Sequence, residues 1–311
     1  MSRWSWSVRG VAAGAVVLTV CSIGAAWAAT QEDAGWNLAR ISQRERVAAT
    51  GPYTYRYDAA AGEGVSVYVL STGINVAHLD FEGRARFMMN VTGDEKAGDC
   101  SGQGTHLAGV VGGKTYGVAK KAQLIDVKVA RCDGNATADS VIAGIKAAVA
   151  DARGTKGNVI LIAQSEGKSE AVNRAVEDAY RKGFVVVVPA GNDNQDACNV
   201  SPASAPNALT TGATNIDDRK ASWSNSGKCV DVLAPGQNIL SVWTGGNTAT
   251  ATRSGTAMAA AHTAGIAATL LSARSLTAAQ VSAQIVRDAT KNAVRDLPST
   301  TPNLLLYSGI F

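Results

Sequence analysis

The sequence has no run of Lys or Arg, and that absence narrows the chemistry first. A net charge of +4 over 311 residues, with a pI near 8.8, comes from basic side chains scattered along the chain. Nothing in that pattern tracks a phosphate backbone, so no nucleic acid partner is expected. Charge is scarce altogether, 17% of residues against 46% hydrophobic, which argues against disorder and leaves enough apolar side chain for an enzyme-sized core. Histidine is scarce too. There are three, with no CxxC motif or His cluster beside the cysteines, and zinc is therefore the weaker reading of those cysteines. Internal repeats, low-complexity tracts and Pro- or Ser-rich linkers are missing from residues 31 to 311, so no second domain boundary is placed.

What is present begins with a targeting segment. Arg3 and Arg9 flank a Trp-rich start, an apolar stretch runs from Val11 to Ile23, and Ala26-Trp27-Ala28 is a small-x-small cleavage signal. Residues 1–28 read as a signal peptide, residues 29–311 as one domain, and the protein as secreted. The rival is an uncleaved membrane anchor over residues 11–29, which are almost long enough to span a bilayer; no other membrane contact is expected. A lipoprotein fits worse, because Val20 precedes Cys21 where a small residue is needed. Beyond the segment lie four cysteines, Cys100, Cys132, Cys198 and Cys229, an even number in a chain bound for an oxidising compartment. Three connectivities are open. Pairing near neighbours joins Cys100 to Cys132 and Cys198 to Cys229, each bridge worth roughly 3 to 4 kcal/mol on the loop-entropy account.

Val65 to Leu70, Leu124 to Val129, Val159 to Ala163 and Phe184 to Val188 are short, β-branched and apolar at successive positions, as strands covered on both faces are. Helical patterns fall between them: Ser140 to Asp151 behind Asp139 as cap, Glu170 to Lys182 behind Ser169, and Val281 to Ala289 behind a capping box of Thr277 and Gln280. The alternation predicts an α/β fold, a three-layer sandwich with a mostly parallel central sheet flanked by helices. Ligands are then sought beyond the carboxyl ends of the strands.

Three segments carry a specific signal: Val67 to Ile74 (VYVLSTGI), Gly102 to Gly109 (GQGTHLAG) and Ser254 to Ala259 (SGTAMA). In this order they resemble the acid, base and nucleophile signatures of the subtilisin-like serine proteases, and Pro189-Ala190-Gly191-Asn192, Ser201-Pro202-Ala203-Ser204 and Ala234-Pro235-Gly236 extend the likeness from about Thr30 to the C-terminus. The chain is most similar to the proteinase K and aqualysin branch, whose pair of disulfides the cysteine spacing also resembles. The resemblance implies a subtilisin-like fold with Ser71 at the acid position, His106 at the base position, Ala257 at the nucleophile position and Asn192 at the oxyanion-hole position.

Two of those residues depart from the family. A methyl group at 257 cannot attack a carbonyl, and the neutral hydroxyl of Ser71 offers no charge to an imidazolium. In subtilisin itself, loss of the serine alone costs roughly 10⁶ in turnover, about 8 to 9 kcal/mol of barrier. The cleft departs as well. The family's Ser-Leu-Gly-Gly segment corresponds to Ala163, Gln164, Ser165 and Glu166, whose side chains obstruct a peptide backbone. On the opposite wall the family's Gly-Ser-Gly corresponds to Gly134, Asn135 and Ala136. Gln103 replaces a His between the glycines of the second signature, a change to which no consequence is assigned. The family's propeptide has no counterpart, since the mature-like start at Gln31 follows the signal directly. Without a nucleophile, Asn192 reads as a loop-capping residue.

These changes lead to the expectation of a secreted, monomeric, non-enzymatic homologue that binds a peptide, an inhibitor or a protein partner; the alternative is an active secreted serine endopeptidase, and a structural or cell-surface module is the third class. Thr256 points away from the attack geometry, and His78 and His262 read as packing residues. A structural calcium is expected by resemblance at the carbonyls of Pro206 and Ala208 and the carboxylate of Asp231, hard oxygen donors that suit it. Asn-x-Ser/Thr triplets start at Asn90, Asn135 and Asn199 and matter only in a host that glycosylates.

Overall fold

Strands that are apolar on both faces need a layer of helices on each side, and the computed structural model supplies both. It describes Met1 and residues 28–94 and 98–309. The expected signal and anchor lie outside the described residues, save Met1, Ala28 and Ala29. The chain enters through β1 (Ala28–Gln31), α1 (Trp36–Ser42) and β2 (Tyr55–Asp58), with β1 antiparallel to β2. Next come β3 (Val65–Ser71), β4 (Ala85–Asn90), α2 (Gln103–Gly112), β5 (Gln123–Lys128), α3 (Ala138–Asp151), β6 (Gly157–Ile162), β7 (Glu166–Gly167), α4 (Glu170–Arg181) and β8 (Val185–Pro189). The second half adds β9 (Val200–Ser201), β10 (Leu209–Thr214), β11 (Val232–Pro235), β12 (Ile239–Val242), β13 (Thr250–Arg253), α5 (Thr256–Ala273), α6 (Ala278–Asp288), β14 (Thr290–Lys291) and β15 (Leu304–Leu305).

The central sheet has nine strands in the order β14-β15-β11-β10-β8-β6-β3-β5-β4, parallel throughout except for the β14 and β15 pair. Alternation along β3 divides its side chains between two cores. Val65, Val67 and Val69 pack into one together with α2 and α5, while Tyr68 and Leu70 pack into the other together with α3 and α4. Because β5 lies on one side of β3 and β6 on the other, the chain leaves the carboxyl end of β3 at a switch point of the sheet, the position where open α/β sheets form a crevice. The three-layer α/β architecture read from the sequence is the one observed.

One cap differs from expectation. Helix α3 begins at Ala138, and Thr137, not Asp139, is its cap: the Thr137 hydroxyl accepts from the Ser140 N–H at 3.1 Å, and the Ser140 hydroxyl returns to the Thr137 N–H at 3.0 Å. Thr137 can do this because it holds extended backbone, whereas Asp139 is already inside the first turn and contributes only its charge to the helix N-terminus. Ser169 caps α4 and the Thr277 and Gln280 box caps α6, as the sequence predicts. Both disulfides are formed, Cys100 with Cys132 and Cys198 with Cys229, with Cα–Cα separations of 5.2 and 5.3 Å.

Beneath the end of β3 lies an unusual buried acid. Asp126 on β5 is fully buried, and its carboxylate oxygens make no hydrogen bond of standard geometry; burial, with the charge of Asp99, pushes it up to about 7 against the weaker opposition of the Ile74 N–H and the Lys128 charge. An acid whose folded pKa exceeds its unfolded value of 3.8 leaves stability intact below that value and costs progressively more as pH rises towards the folded value. At pH 8 the cost is about 4 kcal/mol. Asp126→Asn should therefore raise the urea midpoint at pH 8 and leave it nearly unchanged at pH 4. Equal midpoint shifts at both pH values would show that ionisation of Asp126 is not the source.

Candidate active site

An open cleft of about 490 Å³ lies at the carboxyl edge of the sheet. Three element ends form it: Ala163 to Ser165 beyond β6, Pro189 to Asp193 beyond β8, and Arg253 to Met258 where β13 runs into α5; Ser101, Gln103 and Trp243 complete the lining. Ala257, the second residue of α5, reaches this cleft because the helix behind it is sheathed in the core, Thr256 through Leu271 being buried without a break. Small side chains permit that depth: at Gly265 an added Cβ would clash with Val118.

Asn192 is fastened to the same helix end. Its Oδ1 accepts from the Thr256 N–H at 2.9 Å and from the Thr256 hydroxyl at 3.0 Å, and that hydroxyl accepts from the Gly191 N–H at 3.1 Å. Both oxygens of this arrangement are engaged, while the Asn192 amide nitrogen and the Ala257 N–H have no partner among the described residues and stand at the cleft as donors. Asn192 is thus held as an oxyanion-hole donor would be held. Thr256, fully buried and doubly bonded, is committed to this scaffold.

The second signature is placed differently from its sequence reading. His106 is fully buried; its Nε2–H donates to the Ile239 carbonyl at 2.9 Å, and its ring stands edge-on to Trp243, with centroids 6.1 Å apart. Burial pushes its imidazole down to about 4. It faces the β12 and β13 hairpin and does not line the cleft. The residue of this signature that does is Gln103, the first residue of α2, whose Nε2 donates to the Ala163 carbonyl at 3.5 Å. The assignment of His106 to the base position is corrected on this ground: one helical turn separates the two residues, and only the helix start reaches the rim. A carboxamide has no basic nitrogen to take a proton. The signal that could have found Gln103 is its place between Gly102, which at φ +97 caps α2 with no room for a Cβ against Trp243, and Gly104, which sits against the Gly73 carbonyl.

Asp99 anchors this corner. Its Oδ1 accepts from Ser101 N, Gly102 N and the Thr72 hydroxyl, and its Oδ2 from Thr105 N and Oγ1. The start of α2 is thereby tied to the turn after β3. Ser71, at the end of β3, is fully buried with no partner for its hydroxyl and lies behind the lining.

Of the expected cleft residues, Ala163, Gln164 and Ser165 line the main cleft. Glu166 lines a small depression of about 20 Å³ with Gln164, Val141 and Val172, and it pairs with Ser201 in the short β7 and β9 ladder. Gly134, Asn135 and Ala136 sit in a turn closed by the Ala130 and Ala136 bridge, outside both linings. Trp243, Arg253 and Asp193 also line the cleft and carry no sequence signature. His78 donates to the Ala249 carbonyl at 2.9 Å, and His262 is fixed between the Met258 carbonyl at 2.8 Å and Asn37 Nδ2 at 2.7 Å. Pro206, Ala208 and Asp231 meet at a separate cavity of about 280 Å³. The Asp231 carboxylate accepts from the Thr210 N–H at 2.7 Å, has no cationic side chain among the described residues, and is pushed up by burial to about 6.

Residues 62–303 match the sequence profile described as "Subtilase family". The chain is 43% identical to Cerevisin of Saccharomyces cerevisiae and 42% identical to Alkaline protease 2 of Aspergillus fumigatus, each over 90% of its length. It spans 47% and 61% of those two proteins, about half of each. A solved structure, described as that of a cold adapted subtilisin-like serine proteinase, superposes with a TM-score of 0.82 at 38% identity, covering 89% of this chain and 98% of the other. These matches overturn the expectation that the chain is not an enzyme: relatives this similar over nine-tenths of it bear protease names.

The geometry makes a prediction about positions 71, 103 and 257. Ser71→Asp with Ala257→Ser lacks a base and should change peptide turnover by less than about tenfold, whereas adding Gln103→His should raise it by a further factor of about 10² to 10⁴. Steady-state hydrolysis of a chromogenic peptide checks this; equal rates for the double and triple variants would contradict the placement of Gln103.

Proposed function

The chain belongs to the subtilase family, and from that premise we propose that it is a secreted protein whose cleft takes up extended polypeptide and stabilises an oxyanion at Asn192 and Ala257. The observation that carries this reading is the intact anchoring of Asn192 by Thr256 beside a free helix N–H. Donors fixed in this way suit a carbonyl oxygen that gains negative charge. Protease names among the relatives supply the substrate class.

Hydrolysis on this reading proceeds without an acyl-enzyme, because the side chain at 257 has no oxygen. Water attacks the carbonyl carbon directly and loses its proton to solvent while the Ala257 N–H and Asn192 amide hold the oxyanion; the C–N bond then breaks, the amine leaves protonated by solvent and a carboxylate remains, the cleft supplying orientation. In subtilisin, a member of the same family, what remains after the triad is removed is roughly 10³ to 10⁴ over the uncatalysed rate. Secretion is supported by the two disulfides, which persist in an oxidising compartment.

The experiment pairs a fluorophosphonate probe with an unstructured protein substrate. Binding of the substrate, slow cleavage over days and no covalent label are expected, and Asn192→Ala should slow the cleavage by about 10². A covalent label, turnover above about 1 s⁻¹, or no binding would contradict the reading.

A calcium ion at Pro206, Ala208 and Asp231 is part of the proposal. A half-buried carboxylate with no cationic partner among the described residues, on a cavity also lined by Pro206 and Ala208, fits a hard cation. When bound, the ion would tie the loop before β10 to the loop before β11 and keep Asp231 ionised. Chelation should lower Tm, added calcium should restore it, and Asp231→Asn should abolish the response; an identical chelator effect in that variant would place calcium elsewhere.

A further inference from the structure

Arg253 is the one cation of the cleft lining, and it is held rigidly. Its guanidinium lies over the Trp243 ring, 4.1 Å from the centroid, and Nη1 donates to the Thr252 carbonyl at 3.1 Å. Trp243 is itself pinned, with Gly102 pressed against its indole and His106 at its edge. Arg253 is nonetheless exposed and forms no ion pair among the described residues. The only other charge in the lining, Asp193, is not within salt-bridge reach of it.

A flexible surface arginine loses several rotatable bonds when it grips a ligand, but one already stacked and hydrogen-bonded does not. Its remaining N–H groups match the two oxygens of a carboxylate in a bidentate fork. Arg253 immediately precedes Ser254 and the start of α5, so a group bound by it lies next to the oxyanion donors. On the reading that the cleft takes extended polypeptide, we infer that Arg253 selects segments with an Asp or Glu side chain at the position that falls over Trp243. Arg253 is a specificity-determining residue and takes no part in bond making.

The test uses fluorescein-labelled octapeptides of Ala, Gly and Gln carrying a single Glu at successive positions, with Gln at the same positions as the neutral control. Binding is measured by fluorescence polarisation at low ionic strength. One Glu register should bind about 5- to 10-fold tighter than its control. That advantage should vanish in Arg253→Gln, survive in part in Arg253→Lys and turn into a preference for Lys peptides in Arg253→Glu. If neutral peptides bind and Glu brings less than a twofold gain at every register, or if Arg253→Gln keeps the preference, the inference fails while polypeptide binding stands. If no peptide of any charge binds, both fail.

Discussion

The burial of α5 is the constraint on which the cleft depends. From Thr256 to Leu271 the helix is enclosed, and it is composed largely of Ala, Gly and Thr, so that sheet and neighbouring helices approach its backbone closely. Its N-terminus emerges at the carboxyl edge of the sheet with little freedom to tilt. Ala257, Thr256 and, through Thr256, Asn192 inherit that position. His262, bonded on both ring nitrogens inside the same helix, adds a second lock to α1.

Much of this was legible in the sequence because it rests on local rules. Runs such as Val65 to Leu70 announce strands covered on both faces, and Ser169 and Thr277 announce helix starts. Asp139 misled because a residue in the first turn and a residue at the cap share the same preference for oxygen side chains; only the backbone conformation of Thr137 separates them. His106 misled for a related reason. Two positions of one signature are three residues apart, and which of them faces solvent is decided by where α2 begins, a matter of Gly102, Asp99 and Trp243 brought together from distant segments. Trp243 and Arg253 had no local signal at all, since their importance arises from the way β12 and β13 fold against α2. The turn at Gly134, Asn135 and Ala136 is shaped by its own bridge from Ala130 to Ala136 and borders neither lining.

On the proposed reading, the chemistry that the cleft's own side chains supply is stabilisation, and the attacking oxygen comes from water. The three positions that would relay a proton and form an acyl bond carry a buried hydroxyl, a carboxamide and a methyl group. What remains is an N–H donor at the start of α5, the Asn192 amide beside it and a fixed guanidinium in an open cleft. Donors preorganised by the fold need no rearrangement when charge develops near them, and this holds whether the carbonyl they face belongs to a bound segment at rest or to one under attack by water. Family membership and the state of individual residues thus describe different properties: the scaffold is that of the proteases it resembles, while the side chains at the cleft are its own.

The most direct test of the account is hydrogen–deuterium exchange with and without a saturating unstructured polypeptide. Slowed exchange of the amides at Gln164, Ser165 and Ala257 is predicted, because the first two would pair with an extended chain and the third would donate to its carbonyl. Protection confined to another surface, with those amides unchanged, would contradict it.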